Sequence, residues 1–212
     1  MQKKHVLIIA NGSVPSLEII FDILTESKFI VCADGGANIA KQLKITPNVI
    51  LGDFDSILST TRRYFEDIPQ IHLPDQHATD LEKAILFCIE ENFSSVTIIG
   101  ATGDRIDHTT GSLGCFKKFG KKISMKLIDG IGEISLLQKS TLLTTQKGEK
   151  LSLIPLERCE GVTTSNLKYE LHNNILELGV CDGISNEAIG KRAIVSVKKG
   201  TLLLYRFHNA SQ

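Results

Sequence analysis

Over the first 130 residues, short apolar runs rich in β-branched side chains alternate with segments whose apolar residues recur at helical spacing. The strand-like runs fall at 6–10, 29–33, 49–54, 70–73, 96–101 and 125–129. Between them, 16–26, 38–43, 58–66, 80–91 and 107–119 carry the helical pattern. The segment from Asp80 is the best marked: Thr79-x-x-Glu82 reads as a capping box, and Leu81, Ala84, Ile85 and Cys88 make one face. Strands this apolar have no polar face to give to water. Alternating with helices, they predict an α/β domain with a Rossmann-like, mostly parallel sheet covered on both faces.

After about Glu133 the texture changes. Strand-like runs at 133–138, 140–145, 149–155, 167–171, 175–178, 193–197 and 201–207 follow one another, punctuated by Lys147-Gly148, Asn173-Asn174 and Lys199-Gly200. No helical pattern remains. The expectation is two domains, 1–130 α/β and 131–212 a small all-β sandwich.

The balance of 24 basic against 24 acidic residues in 212 excludes the electrostatic footprint of a nucleic-acid or anionic-membrane binder. No apolar run approaches a membrane span, and the run after Met-Gln-Lys-Lys-His is too short for a signal-peptide core. Five cysteines, none in a C-x-x-C pair, read as small apolar residues in a reducing compartment. A cytoplasmic protein is expected.

The unusual polar clusters all fall where the expected parallel strands end: Asn11-Gly12-Ser13, Asp34-Gly35-Gly36-Ala37-Asn38, Gly52-Asp53-Phe54-Asp55-Ser56, Asp75 to Asp80, and Gly100 to His108. The carboxyl edge of an open α/β sheet is its ligand edge. Asp53 and Asp55, at i and i+2 of an expected strand, would share a face and repel unless a hard cation sits there. With Asp34, Asp75, Asp80 and Asp107 the same edge carries six carboxylates, which calls for Mg²⁺ bringing a nucleotide triphosphate. Gly35-Gly36 lets backbone approach closely, and the helix from about Asn38 would offer N–H groups to phosphate. Asp80 suits a helix first turn as well as a metal. Arg105 suits an ion pair with Asp104 or Asp107 as well as a phosphate clamp. His77 and His108 fit surface histidines better than bases. No G-x-G-x-x-G or G-x-x-x-x-G-K-[ST] occurs.

Together the motifs ADGGAN (33–38), GDFDS (52–56), PDQHATDLEKA (74–84), GDRIDHTTGSLG (103–114) and GISNE (183–187) resemble the thiamine pyrophosphokinase family over nearly the whole chain. The resemblance implies a catalytic Rossmann-like domain, a thiamine-binding and dimerising sandwich, and a homodimer with active sites between subunits. It implies transfer of pyrophosphate from ATP to thiamine, giving thiamine diphosphate and AMP. By matching motif, Asp53, Asp55 and Asp80 would hold Mg²⁺, with Arg105 and Asp107 completing the catalytic set. Asp34, Gly35, Gly36, Asn38, Gln76, Thr79, Lys83 and Arg105 would meet the nucleotide. Gln76, Asp80, Ser185 and Asn186 would meet thiamine. The chain departs from the pattern in reading G-D-R at 103–105, where many members have G-G-R, and in having no Trp to stack on thiamine. Two alternatives are a Mg²⁺-dependent nucleotidyl- or glycosyltransferase using Asp53-x-Asp55, and a non-enzymatic nucleotide-binding regulator. Thiamine-dependent AMP release separates all three.

Overall fold

Strand β1 (His5–Ile9) shows why the sheet must be covered twice: Val6, Leu7, Ile8 and Ile9 are all closed to solvent, so both of its faces are buried. The computed structural model describes residues 5–103 and 105–208. It divides into two compact units between Gly130 and Ile131.

In the first unit β2 (Phe29–Ala33), β3 (Val49–Gly52), β4 (Gln70–His72), β5 (Ser95–Ile99) and β6 (Ser124–Ile128) join β1 in a sheet of order β6-β5-β1-β2-β3-β4. Every pairing is parallel. The connections are α1 (Leu17–Glu26), α2 (Gly36–Gln42), α3 (Ser59–Tyr64), α4 (Asp80–Glu90) and α5 (Ile106–Phe119). On one face Leu7, Ile9, Cys32 and Ile50 pack with Ile20 and Ile23 of α1 and Ala37 and Ala40 of α2. The alternate residues Ile8, Val31, Leu51 and Ile98 are equally buried, with α4 against β2 and β3 and α5 against α4. The direction of winding reverses between β1 and β5, which places a topological switch point there.

The second unit pairs β7 (Gly132–Leu136), β9 (Lys150–Pro155), β12 (Gly183–Glu187) and β14 (Leu202–Phe207) in the antiparallel order β12-β9-β14-β7. Against these lie β8 (Ser140–Thr144), β10 (Cys159–Ser165), β11 (Asn174–Leu176) and β13 (Arg192–Ser196), in the antiparallel order β11-β10-β13-β8. Leu151, Leu153, Leu202 and Leu204 from the first set meet Leu143, Val162, Leu176, Ala193 and Val195 from the second in one apolar core, which makes the unit a sandwich.

Four expectations need correction. The third strand stops at Gly52 instead of running to residue 54, because Phe54 turns left-handed with φ +65°. The second helix begins at Gly36, and the N–H groups of Ala37 and Asn38 already bond Asp34 O and Gly35 O rather than waiting for a phosphate. Residues 167–171 are not a strand: Asn166 enters the left-handed region, and Leu167 makes only an isolated bridge to Ala188. In their place β10 and β12 are strands that the sequence pattern does not mark, and both carry a register shift.

Candidate active site

The carboxyl edge of the parallel sheet is shaped by glycines. A Cβ at Gly36 would stand 2.0 Å from Ile9 O, so only glycine lets α2 start this close to β1. A Cβ at Gly52 would lie 2.7 Å from Asp34 Cβ and 3.1 Å from Asp80 Oδ1. The absent side chain is therefore the space in which carboxylates from the ends of β2 and β3 and the start of α4 converge. Asp34, Asp53 and Asp80 each offer an oxygen, all within 4.8 Å of one another, and among the described residues they form the one such group.

The three are held differently. Asp34, after β2, is 2% exposed. Its Oδ2 accepts from Ser56 N at 2.9 Å, whereas its Oδ1 is buried without a hydrogen-bond partner. Burial pushes its carboxyl above the usual carboxylate range; the Ser56 bond opposes this and the nearby Asp80 charge adds to it. Asp53 accepts from Gln76 Nε2 at 2.8 Å and from Asp55 N at 3.2 Å, and these bonds hold its carboxyl below the usual range. Asp80 opens α4. The Thr79 side chain caps that helix by accepting from Glu82 N, and Lys83 Nζ, itself buried, reaches back to Asp80 Oδ1 at 2.9 Å. When all three carboxylates are ionised, Lys83 offsets one negative charge and two remain.

The other residues singled out in the sequence stand outside this group. Asp55 is exposed and accepts from Ser56 Oγ at 2.7 Å. The side-chain amide of Asn38 is engaged at both ends, donating to Ser56 O and accepting from Leu58 N, so it pins the 56–58 segment. Gly35 packs on the side chain of Asn11. Asp75 closes a turn by accepting from His77 N. Arg105 and Asp107 are fully exposed and paired: Arg105 Nε donates to Asp107 Oδ1 at 3.2 Å, and this hydrogen bond holds the Asp107 carboxyl at about 2. Asp104 lies outside the described residues.

Ser185 and Asn186 belong to β12 rather than to a loop. Ser185 is exposed, with φ +58°. Asn186 is buried; it donates to Tyr169 O and accepts from Tyr169 N and Glu187 N. That grip holds Tyr169 with 61% of its surface exposed. The structure also gives roles to parts of the polar clusters that the sequence does not assign. Gly52 is one and Phe54 another; nothing in the sequence marks a left-handed phenylalanine between two aspartates. The loops after β1 and β5 are a third, zipped by Gly12 N to Gly100 O and Ser13 N to Thr102 O.

Parallel α/β fold and converged carboxylates together define the class of protein that manages charge at a sheet edge. Within that class, residues 21–128 match the model of the thiamin pyrophosphokinase catalytic domain, and residues 139–202 match that of the thiamin pyrophosphokinase vitamin B1 binding domain. The chain is 30% identical over 210 residues to a thiamine pyrophosphokinase of Bacillus subtilis, covering 96% of this chain and 98% of the relative. A solved structure of the thiamine pyrophosphokinase from Bacillus subtilis superposes with a TM-score of 0.82 at 27% identity, over 97% of this chain and all of the other. The Candida albicans thiamin pyrophosphokinase shares the fold, with a TM-score of 0.87 at 20% identity over 98% of this chain and 90% of that one. The chain belongs to the thiamine pyrophosphokinase family.

Proposed function

We propose that this chain transfers a pyrophosphoryl group from ATP to thiamine, releasing AMP, and that Asp34, Asp53 and Asp80 hold a Mg²⁺ ion that meets the triphosphate. The activity follows from membership of the family over nearly the whole chain. The single observation that carries the metal reading is Asp34: one of its oxygens is buried and unbonded, beside two further carboxylates. A buried polar atom without a partner is destabilising, and oxygen-only donors suit a hard divalent cation. When bound, Mg²⁺ supplies charge neutralisation on the phosphates.

The residues have separable tasks. Gln76 fixes the Asp53 carboxylate, Lys83 fixes that of Asp80, and Ser56 N holds one oxygen of Asp34. Asp55, exposed beside Asp53, engages cations that arrive with the nucleotide. Arg105 exchanges Asp107 for phosphate, contributing positive charge as the hydroxyl oxygen of thiamine attacks the β-phosphorus and AMP departs. Alignment and neutralisation dominate such a reaction, so no covalent group on the protein is required. In the second unit Ser185 is the candidate thiamine contact, and Asn186 acts by holding the neighbouring Tyr169. The assembly is a homodimer, as the family resemblance implies, and its place is the cytoplasm, as the cysteine usage leads one to expect.

The decisive assay measures AMP formation with ATP, with and without thiamine, across a Mg²⁺ titration. Thiamine-dependent AMP that vanishes without divalent metal is expected. AMP release indifferent to thiamine would overturn the transfer reading, and turnover undiminished by chelation would overturn the metal. Sedimentation of a monomer with full activity at assay concentration would remove the dimer.

A further inference from the structure

Phe54 sits between Asp53 and Asp55 with φ +65°, in the left-handed region that a bulky residue enters only when its surroundings over-determine it. Two side chains from other elements meet its ring. The Arg62 guanidinium, from α3, stands 4.8 Å from the ring centroid. The His72 ring, at the end of β4, stacks on it at 5.6 Å between centroids with 25° between planes. Arg62 is itself fixed, since its Nε donates to Gln70 Oε1 at 3.1 Å. Gln70 in turn donates to Arg62 O at 3.4 Å and to Phe65 O at 3.1 Å.

The left-handed residue between them gives the two neighbouring aspartates different positions. In an extended strand, positions 53 and 55 would present both carboxylates to one side. Here Asp53 joins Asp34 and Asp80, while Asp55 borders that group without being one of the three, its N–H bonded to Asp53 Oδ1 and its carboxylate to Ser56 Oγ. We propose that Arg62, Gln70 and His72 form a brace that holds Phe54 left-handed and thereby selects Asp53, not Asp55, for the cation cluster. Arg62 is then a positioning residue for metal affinity, acting through Phe54. The inference rests on the reading that the cluster holds a divalent ion.

The test measures Mn²⁺ binding to the full chain without nucleotide, by electron paramagnetic resonance, beside melting curves. Arg62→Ala is expected to weaken Mn²⁺ binding about 3- to 10-fold, the scale of one exposed cation–π contact together with its anchoring. The Mg²⁺ concentration for half-maximal AMP formation should rise by the same factor, and Arg62→Lys should recover part of the loss. Glycine enters the left-handed region without strain. In a Phe54→Gly background, therefore, Arg62→Ala should change Mn²⁺ affinity no further. Asp53→Asn serves as the control for the cluster. Lost binding in Asp53→Asn with unchanged binding in Arg62→Ala overturns the brace alone, as does an equal Arg62→Ala loss in both backgrounds. Unchanged binding in Asp53→Asn overturns the metal reading and the brace with it.

Discussion

Three aspartates drawn within 4.8 Å of one another repel, and on the proposed reading a bound cation offsets that repulsion. That makes activity and metal-free stability oppose one another at single residues. Asp34→Asn keeps an oxygen for Ser56 N and removes a buried charge, so the metal-free variant should melt higher than the parent. The same change, like Asp53→Asn, removes an anionic ligand where charge is neutralised. A turnover loss on the order of 10²–10³, about 3–4 kcal/mol, is expected by analogy with other lost electrostatic contacts. Turnover across a Mg²⁺ titration, set beside metal-free melting curves, checks both halves. Parental turnover in Asp53→Asn at ordinary Mg²⁺ would return the cluster to a strand-end accident. At this scale the residue types are legible in the sequence but their grouping is not. Asp53 and Asp55 look equivalent in GDFDS, and the left-handed Phe54 between them meets side chains from α3 and β4 that lie far off in the sequence. Asp34 was legible as a neighbour of the site, not as its most buried member.

At the scale of elements, the parallel half follows its sequence within a residue or two because its central strands β1, β2, β3 and β5 are largely buried apolar runs between segments of helical period. The sandwich half obscures two strands for a physical reason. Strand β10 contains Gly161 in the left-handed region and shifts register between Cys159 and Val162; β12 shifts between Gly183 and Asn186. A bulge breaks the period of two on which strand recognition rests. The β12 irregularity also separates Ser185 from Asn186 in kind. Asn186→Ala should cost about 1–3 kcal/mol, because it strips partners from the Tyr169 backbone and vacates a buried position. In a chain of this length each kcal/mol lowers Tm by roughly 2–4 °C. Ser185→Ala should leave Tm alone and act on the apparent KM for thiamine. Thermal denaturation of both variants, read with thiamine saturation curves, checks the split; equal melting points would remove the structural role given to Asn186.

For the molecule as a whole, the amino ends of β1 and β5 carry a pH dependence distinct from the site. His5 is wedged between Ser95 Oγ at 2.8 Å and Thr97 Oγ1 at 3.1 Å. Burial lowers its pKa, with Lys126 adding to that and Glu26 opposing it. A group whose folded pKa is lowered favours the neutral ring, so its contribution is complete above the ordinary histidine value of about 6.5 and is lost as pH falls below it. Melting temperature should therefore decline from pH 7 toward pH 5.5, less steeply in His5→Gln; identical profiles would exclude His5 as the source. The zip between the loops after β1 and β5 bears on motion. Where an open sheet reverses its winding, the flanking loops usually diverge into a crevice; here Gly12 N and Ser13 N are spent on Gly100 O and Thr102 O. Amides in loops ordinarily exchange with solvent quickly, whereas those tied to a central strand exchange only when the domain opens. In hydrogen–deuterium exchange the amides of Gly12 and Ser13 should be protected to within about tenfold of Ile8, though neither lies in a strand. Exchange as fast as at Arg105 would mean the stitch breathes, and the protected kernel of the fold would then end at the strands instead of reaching past them to its ligand edge.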